Sequence, residues 1–390
     1  MSPDCRAADV VALQPDDVVR LRLRRQHLRA PFAPDAAGAV RNLLAVQAQE
    51  FPYARWSVAQ RAPGTSAASV EDSVADGTIL RTHILRPTWH FVHRDDLGWL
   101  MALSAERLHQ GNKGMYRQTG VDASSAERSG SILAAAVAGG AHKTRDELAA
   151  VLEEAGFPGK GLGFVYHLMH AEISRILVSG TPIRSAGGAL KQTYALFDER
   201  VPHPGPAVLD AAERDHALGQ LALRYFASRG PATIKDCSAW SGLTMKDVRR
   251  GLDAAREIAP GALATLAIDG LDFYLAAEEL ARPGEAGDGS PAAALPRVDL
   301  IQCYDEYVMG YSQSRHYLGG VAPYFPENGG PMHVVLLDGR LGGWWRHGFA
   351  GDTCELDVRL NQPATPSVQR ALEAEVERYG SFLGMEAKLV

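Results

Sequence analysis

The sequence predicts an α+β protein, mainly α, built as three tandem winged helix-turn-helix units followed by a C-terminal antiparallel β domain. Three observations carry that prediction. Residues 10–120 read as helix, helix, helix, hairpin, and the same order recurs in residues 121–205 and 206–282. A Gly/Pro/Ala-rich stretch, ARPGEAGDGSPAAALP (281–296), then marks a linker. In residues 295–390 apolar runs flank an aspartate–glycine turn, and an amphipathic helix follows. The three copies share pattern rather than sequence.

The first unit opens with DDVVRLRLRRQHLR (16–29), a helix whose Asp16 and Asp17 suit its positive N-terminal end. Arg20, Arg22, Arg24, Arg25 and Arg29 make it strongly basic, which fits either a solvated face or a phosphate-contacting one. In DAAGAVRNLLAVQAQ (35–49), Val40, Leu43, Leu44 and Ala48 fall at three- and four-residue spacing and predict a second helix, with Pro52 setting its end. A third helix covers Ser69–Asp76. ILRTHILRPTWHFVH (79–93), rich in β-branched and aromatic residues and broken by Pro87, predicts two short strands joined by a turn.

The second unit contains SGSILAAAVAGG, then a capping box from Thr144 to Glu147 opening a helix that ends at Gly156. An amphipathic helix over 162–180 follows, then two strands around Gly187-Gly188. The third unit has helices in ERDHALGQLALRYFASRG, ATIKDCSAWSG and LTMKDVRRGLDAA, the last opened by Thr244. Its hairpin, GALATLAIDGLDFYLA, turns at Asp269-Gly270. The C-terminal domain is read from VDLIQCYDEYVMGY, MHVVLLDGRLGGWWRHG and CELDVRL, with the helix PSVQRALEAEVERYGSFLG capped at Gly380 or Gly384.

Composition narrows the classes. Hydrophobic residues at 46% and charged residues at 22% describe a globular chain rather than a disordered or collagenous one. No apolar run approaches the roughly 20 residues of a membrane span, and MSPDCRAADV lacks the pattern of a secretory signal. Cys5, Cys237, Cys303 and Cys354 are scattered with no CxxC pair, so free cysteines in a reducing cytoplasm are expected, with no disulfide framework and no metal. The net charge of −6 argues against coating nucleic acid by bulk charge. It is unevenly spread: residues 1–120 hold 15 basic and 12 acidic residues, leaving −9 for the remainder. Arginines number 33 and lysines 7, and arginine alone makes planar bidentate phosphate contacts. Absence of GxxxxGK[ST], strand-linked GxGxxG, HExxH and GxSxG removes nucleotide hydrolysis, dinucleotide redox and serine-hydrolase chemistry, and no cofactor is expected.

Several local features stand out. Gln47-Ala48-Gln49-Glu50 places two amides two residues apart at a helix end, just before FPYARW; taken alone, solvent-facing glutamines explain them. Arg86-Pro87-Thr88-Trp89-His90 alone is a kinked strand. His83 and His90 lie seven residues apart on strands with no third ligand nearby, which favours a structural role over a metal. Asp305-Glu306-Tyr307, read as strand, would turn its two acids to opposite faces.

Taken together, LAVQAQEFPYARWSVAQR, ILRTHILRPTWHFV and YDEYVMGY resemble the AlkZ superfamily of winged-helix DNA glycosylases, from about residue 16 to the C-terminal helix. The resemblance implies three tandem winged helices and a β-rich C-terminal domain around a DNA-binding channel. Its signature of Gln, an apolar residue, then Gln or Asp falls on Gln47, Ala48 and Gln49, where Ala48 is smaller than the usual middle residue. By resemblance Gln47 and Gln49 are the catalytic pair. The implied reaction is excision of N7-alkylated guanines, including bulky natural-product adducts and interstrand crosslinks. Glu50, Arg86, His90, Asp305 and Glu306 are candidates to line the site, and Arg20, Arg22, Arg24 and Arg25 to hold phosphates. Glu50 ranks below the glutamines, because a helical neighbour of Gln49 points about 100° away.

The chemistry suits a neutral pair. Breaking the bond from N9 to C1′ passes through an oxocarbenium-like transition state. An N7-alkylated guanine is already cationic and leaves without an acid. The enzyme must place a water and stabilise charge at the sugar, which amides can do. The expected partner is duplex DNA carrying alkylated bases or crosslinks, bound by a cytoplasmic monomer with no membrane association. The rival readings are a non-catalytic winged-helix transcriptional regulator and a protein-interaction scaffold. Three copies in one chain favour a monomer that encloses DNA over a short dimeric regulator.

Overall fold

The computed structural model describes residues 13–185, 190–280, 296–319 and 333–390. Helix α1 (Pro15–Arg25) is started by a proline and by reciprocal hydrogen bonds between Gln14 and Asp17. Val19 and Leu23 pack on Ile301, Val334 and Leu336 of the C-terminal sheet, so α1 buttresses that sheet rather than opening the first unit.

The first unit consists of α2 (Ala36–Leu43), β1 (Val46–Gln47), α3 (Phe51–Ala59), α4 (Ala67–Ala75), β2 (Ile79–His83) and β3 (Trp89–His93). Two expectations need correction. The helix predicted over 35–49 ends at Leu43, because Leu44 turns to φ +65 and the chain then pairs as a strand. Pro52 does not end a helix but starts one, as the second residue of α3. Helix α3 escaped the sequence reading because it has two buried faces. Phe51, Ala54 and Val58 enter the core of the first unit, while Trp56 and Ala59 enter the C-terminal core. Such a helix shows no single apolar stripe.

A 26-residue helix that was not anticipated, α5 (Arg94–Thr119), joins the first unit to the second. The second contains α6 (Ala123–Val137), β4 (Lys143–Thr144), α7 (Arg145–Glu154), α8 (Gly161–Ile173), β5 (Leu177–Ser179), β6 (Ile183–Arg184), β7 (Leu190–Lys191), β8 (Thr193–Leu196) and α9 (Phe197–Arg200). The Thr144–Glu147 capping box is present. Gly187-Gly188 lies outside the described residues. The third unit has α10 (Ala211–Arg229), α11 (Ile234–Ser241), α12 (Met245–Ile258), β9 (Leu263–Ile268) and β10 (Leu271–Ala276), turning at Asp269-Gly270 with both φ angles positive.

One topology recurs. In the first unit β1 pairs with β3, which pairs with β2. In the second, β4 pairs with β8, which pairs with β5. In the third, an isolated bridge from Ala232 to Tyr274 takes the place of the first short strand beside β10 and β9. Each time, a short strand, or in the third unit a single bridge, between the first and second helices pairs with the last strand of the unit.

All but the last residue of the linker predicted over 281–296 lies outside the described residues. The C-terminal part comprises β11 (Val298–Ile301), α13 (Glu306–Met309), β12 (His333–Leu337), β13 (Arg340–Ala350), β14 (Thr353–Leu360), α14 (Pro366–Leu383) and β15 (Glu386–Leu389). Its sheet runs in that strand order and is antiparallel except for the last pair, since β15 lies parallel to β14. The expected purely antiparallel sheet is thus corrected at its last strand: α14 ends at Gly384 in the left-handed conformation and returns the chain along β14. Trp56, Trp345, Tyr379 and Phe382 fill the layer between sheet and helix, and Trp56 Nε1 donates to Leu300 O. Among the described residues no helix is long and apolar enough to cross a membrane. Cys237, Cys303 and Cys354 are free and buried.

Candidate active site

The site is built around β1. Val46 and Ala48 enter the core of the first unit, and strand alternation turns Gln47, between them, to the other face. The Ala48 N–H continues the ladder to Trp89 O at 2.7 Å. Gln47 therefore lies on a strand, and Gln49 lies in the bend that follows it, rather than both at the end of a helix over 35–49.

Gln47 is held at every backbone polar atom. It pairs with His90 across β1 and β3. Its N–H donates to Glu306 Oε1 at 2.9 Å, and its carbonyl accepts from Gln302 Nε2 at 3.3 Å. Its side-chain Oε1 accepts from Arg86 Nη2 at 2.9 Å. A guanidinium has no acceptor, so the amide oxygen must face Arg86 and the NH₂ must face away. Gln49 is exposed. Its Oε1 accepts a long bond from the Trp89 N–H at 3.4 Å, and Arg81 Nε anchors the intervening Ala48 carbonyl at 2.9 Å. The Arg81 guanidinium also lies 4.5 Å from the centre of the Trp89 ring.

Arg86 and His90 stand beside the pair. Arg86 Nη1 donates to Trp240 O at 2.7 Å. His90 Nδ1 donates to Thr88 O at 2.9 Å, which leaves the Nε2 lone pair facing Arg86 Nη2 at 3.3 Å. Burial, reinforced by the Arg86 charge, holds His90 well below the ordinary histidine range, so the ring is neutral. His83 is a structural residue: its Nδ1 donates to Glu172 Oε2 at 2.6 Å, and Trp89 Nε1 donates to the other oxygen at 3.1 Å. The second unit thus clamps the hairpin of the first.

Asp305 and Glu306 are not on a strand. Asp305 caps α13, and both acids are fully buried. Asp305 takes a bidentate pair from Arg61 at 2.7 and 2.9 Å, which keeps its carboxyl below the usual range against a large burial penalty. It is a structural ion pair and does not line the site. Glu306 accepts from Arg229 Nη2 at 2.7 Å, from Trp240 Nε1 at 2.6 Å and from the Gln47 N–H. It supports Gln47 from behind and offers no face to a ligand.

Glu50 lies between β1 and α3 rather than within a helix, so the angular argument that ranked it low does not apply. Its side chain is 25% exposed, and Oε2 is buried with no hydrogen-bond partner among the described residues. Burial pushes its carboxyl up. His333 Nε2 faces that oxygen at 3.5 Å.

The basic helix is also corrected. Arg22 is fully buried; its guanidinium donates to Pro231 O and to the backbone and hydroxyl oxygens of Ser314, over the Tyr311 ring. Arg24 and Arg25 pair with Glu279, and Arg25 also with Glu278. Arg20 is exposed and pairs with Asp17. Arg22 cannot reach a phosphate, and Arg24 and Arg25 are committed to the third unit. Gln302, Trp240, Arg229 and His333 were missed. They lie more than 180 residues from β1, and no local pattern announces them.

The family model described as DNA glycosylase AlkZ-like matches residues 40–382. The chain belongs to the AlkZ-like DNA glycosylase family. As an AlkZ-like protein it is a DNA glycosylase, a DNA-repair enzyme whose partner is DNA. The fold agrees. Streptomyces sahachiroi DNA glycosylase AlkZ superposes with a TM-score of 0.70 at 21% identity, over 97% of this chain and 100% of that one. No curated protein matches. Among the described residues of this AlkZ-like chain, no group of three or more His, Cys, Asp and Glu could hold a metal.

Proposed function

We propose that the protein hydrolyses the N-glycosidic bond of N7-alkylated guanine in duplex DNA, bulky adducts and interstrand crosslinks included. Gln47 and Gln49 are its catalytic pair. The three recurring units are winged helices that, with the C-terminal sheet, surround the duplex, and one cytoplasmic chain acts alone.

The observation that carries this reading is the fixed geometry of Gln47. Its backbone is held by Glu306 and Gln302 and its amide oxygen by Arg86, so the NH₂ is the atom left for a ligand. Exposed Gln49 stands two residues on, in the bend that follows β1. The NH₂ of Gln47 orients a water or a phosphate oxygen, and the Gln49 amide oxygen meets positive charge growing at C1′. The substrate brings its own positive charge, so no proton donor is required. Neutral His90 and the buried, ion-paired Asp305 fit a site without an acid. The hydrogen-bond partners of Gln47, Gln49 and Arg86 among the described residues include no lysine, which fits base release without strand cleavage.

A duplex carrying one 7-methylguanine tests this. Free base should appear, and the strand should break only after hot alkali. Intact DNA after alkali, with the duplex still bound, would overturn the substrate assignment.

A further inference from the structure

We propose that Glu50 takes the proton from the attacking water and that His333 is its positioning residue. This rests on the reading above and adds the base that two amides lack.

Three carboxylates stand near β1, and two are spent. Asp305 is locked to Arg61, and Glu306 is saturated by Arg229, Trp240 and the Gln47 N–H. Glu50 alone keeps an oxygen without a partner and a side chain in partial contact with solvent. It directly follows Gln49. It occupies the cap position of α3, yet its side chain makes no capping bond, so the usual use of an acid there is declined.

His333 explains why the carboxylate stays where it is. Its Nδ1 accepts from the Cys303 N–H at 3.2 Å, so in the neutral ring Nε2 carries the hydrogen, and that atom lies 3.5 Å from Glu50 Oε2. Burial holds the ring at about 3, hence neutral. Tyr53 lies against it, with ring centres 3.6 Å apart and planes tilted by 44°. The segment that supplies Cys303 also supplies Gln302, which binds the Gln47 carbonyl. One stretch of backbone therefore fixes both Gln47 and the residue behind Glu50. The titratable groups facing Glu50 are Tyr53 from α3, Cys303 and Tyr304 after β11, and His333 from β12. None is cationic, so nothing nearby counters the upward push of burial.

The step balances. Water oxygen bonds to C1′ as the bond from C1′ to N9 breaks, and that electron pair neutralises the cationic base. Glu50 receives the water proton and passes it to solvent. The products are a neutral alkylated guanine and an abasic sugar.

The test is single-turnover release from the 7-methylguanine duplex between pH 4.5 and 8, with spontaneous loss subtracted and duplex affinity measured in parallel. Wild type should lose rate as pH falls, with a midpoint above the ordinary carboxylate value of about 4.3. Glu50→Gln should be about 10²-fold slower and flat with pH, at unchanged affinity. Glu50→Asp should keep the acid limb at reduced rate. His333→Phe should keep the limb but move it upward, because the polar Nε2–H beside the carboxylate is gone. Wild-type rate and profile in Glu50→Gln, or a limb absent from Glu50→Asp, would overturn the proposal while leaving the glutamine pair in place. A wild type that releases no base would overturn both.

Discussion

Arg86 Nη2 donates to Gln47 Oε1 at 2.9 Å, and Arg86 Nη1 donates to Trp240 O at 2.7 Å. A residue of the first unit's hairpin thereby fixes one amide of the pair while anchored on the third unit. The bond has an electrostatic cost, since a cation beside a developing cation is unfavourable. Its return is orientation: the amide cannot flip while the guanidinium faces its oxygen.

Arg86→Met should therefore lower single-turnover base release by about 10²-fold, the scale of a misplaced reacting group. Duplex affinity should change little. Rates and fluorescence-anisotropy titrations on the same duplex separate the two. A large affinity loss with an intact rate would make Arg86 a phosphate contact.

Arg22 offers a contrasting case. It is buried against Pro231, Ser314 and Tyr311. Arg22→Ala should cost about 1–3 kcal/mol for each acceptor it orphans, read as a fall in the urea midpoint. The slope of log affinity against log salt should stay as in wild type, because no phosphate contact is lost.

Glu375 sets a pH dependence of stability. It is buried in α14 and accepts from Leu300 N at 3.3 Å and Arg378 Nη1 at 2.9 Å. Burial pushes it up to about 7, against the lowering by Arg378. A folded value above the unfolded one means that its stabilising contribution is full below about pH 4.3 and is lost as pH rises through about 7. Glu375→Gln should thus raise Tm relative to wild type at pH 8, and the gain should shrink towards pH 5. An equal shift at both values would contradict the burial argument.

The sequence made local chemistry legible and left long-range pairing hidden. Capping boxes at Thr144 and Thr244 and the Asp269-Gly270 turn depend on neighbours a few residues away, and all are present. The glutamines were visible as a motif, but their setting was not. Helix-like spacing in 35–49 ran straight through Leu44, whose positive φ is imposed by the strand that follows. Pro52 can stop one helix or start another, and only packing decides. Arg22 looked like its neighbours in a basic helix; what distinguishes it is Ser314, nearly 300 residues away. Asp305 and Glu306 read as a strand pair because their arginines, Arg61 and Arg229, lie in other units.

The most direct test of the central claim compares wild type with Gln47→Ala/Gln49→Ala for release of 7-methylguanine from duplex DNA under single-turnover conditions, with binding followed in the same samples. The geometry predicts release by wild type, none above background by the double variant, and similar duplex affinity for both. Release by the double variant at the wild-type rate would show that the chemistry lies elsewhere.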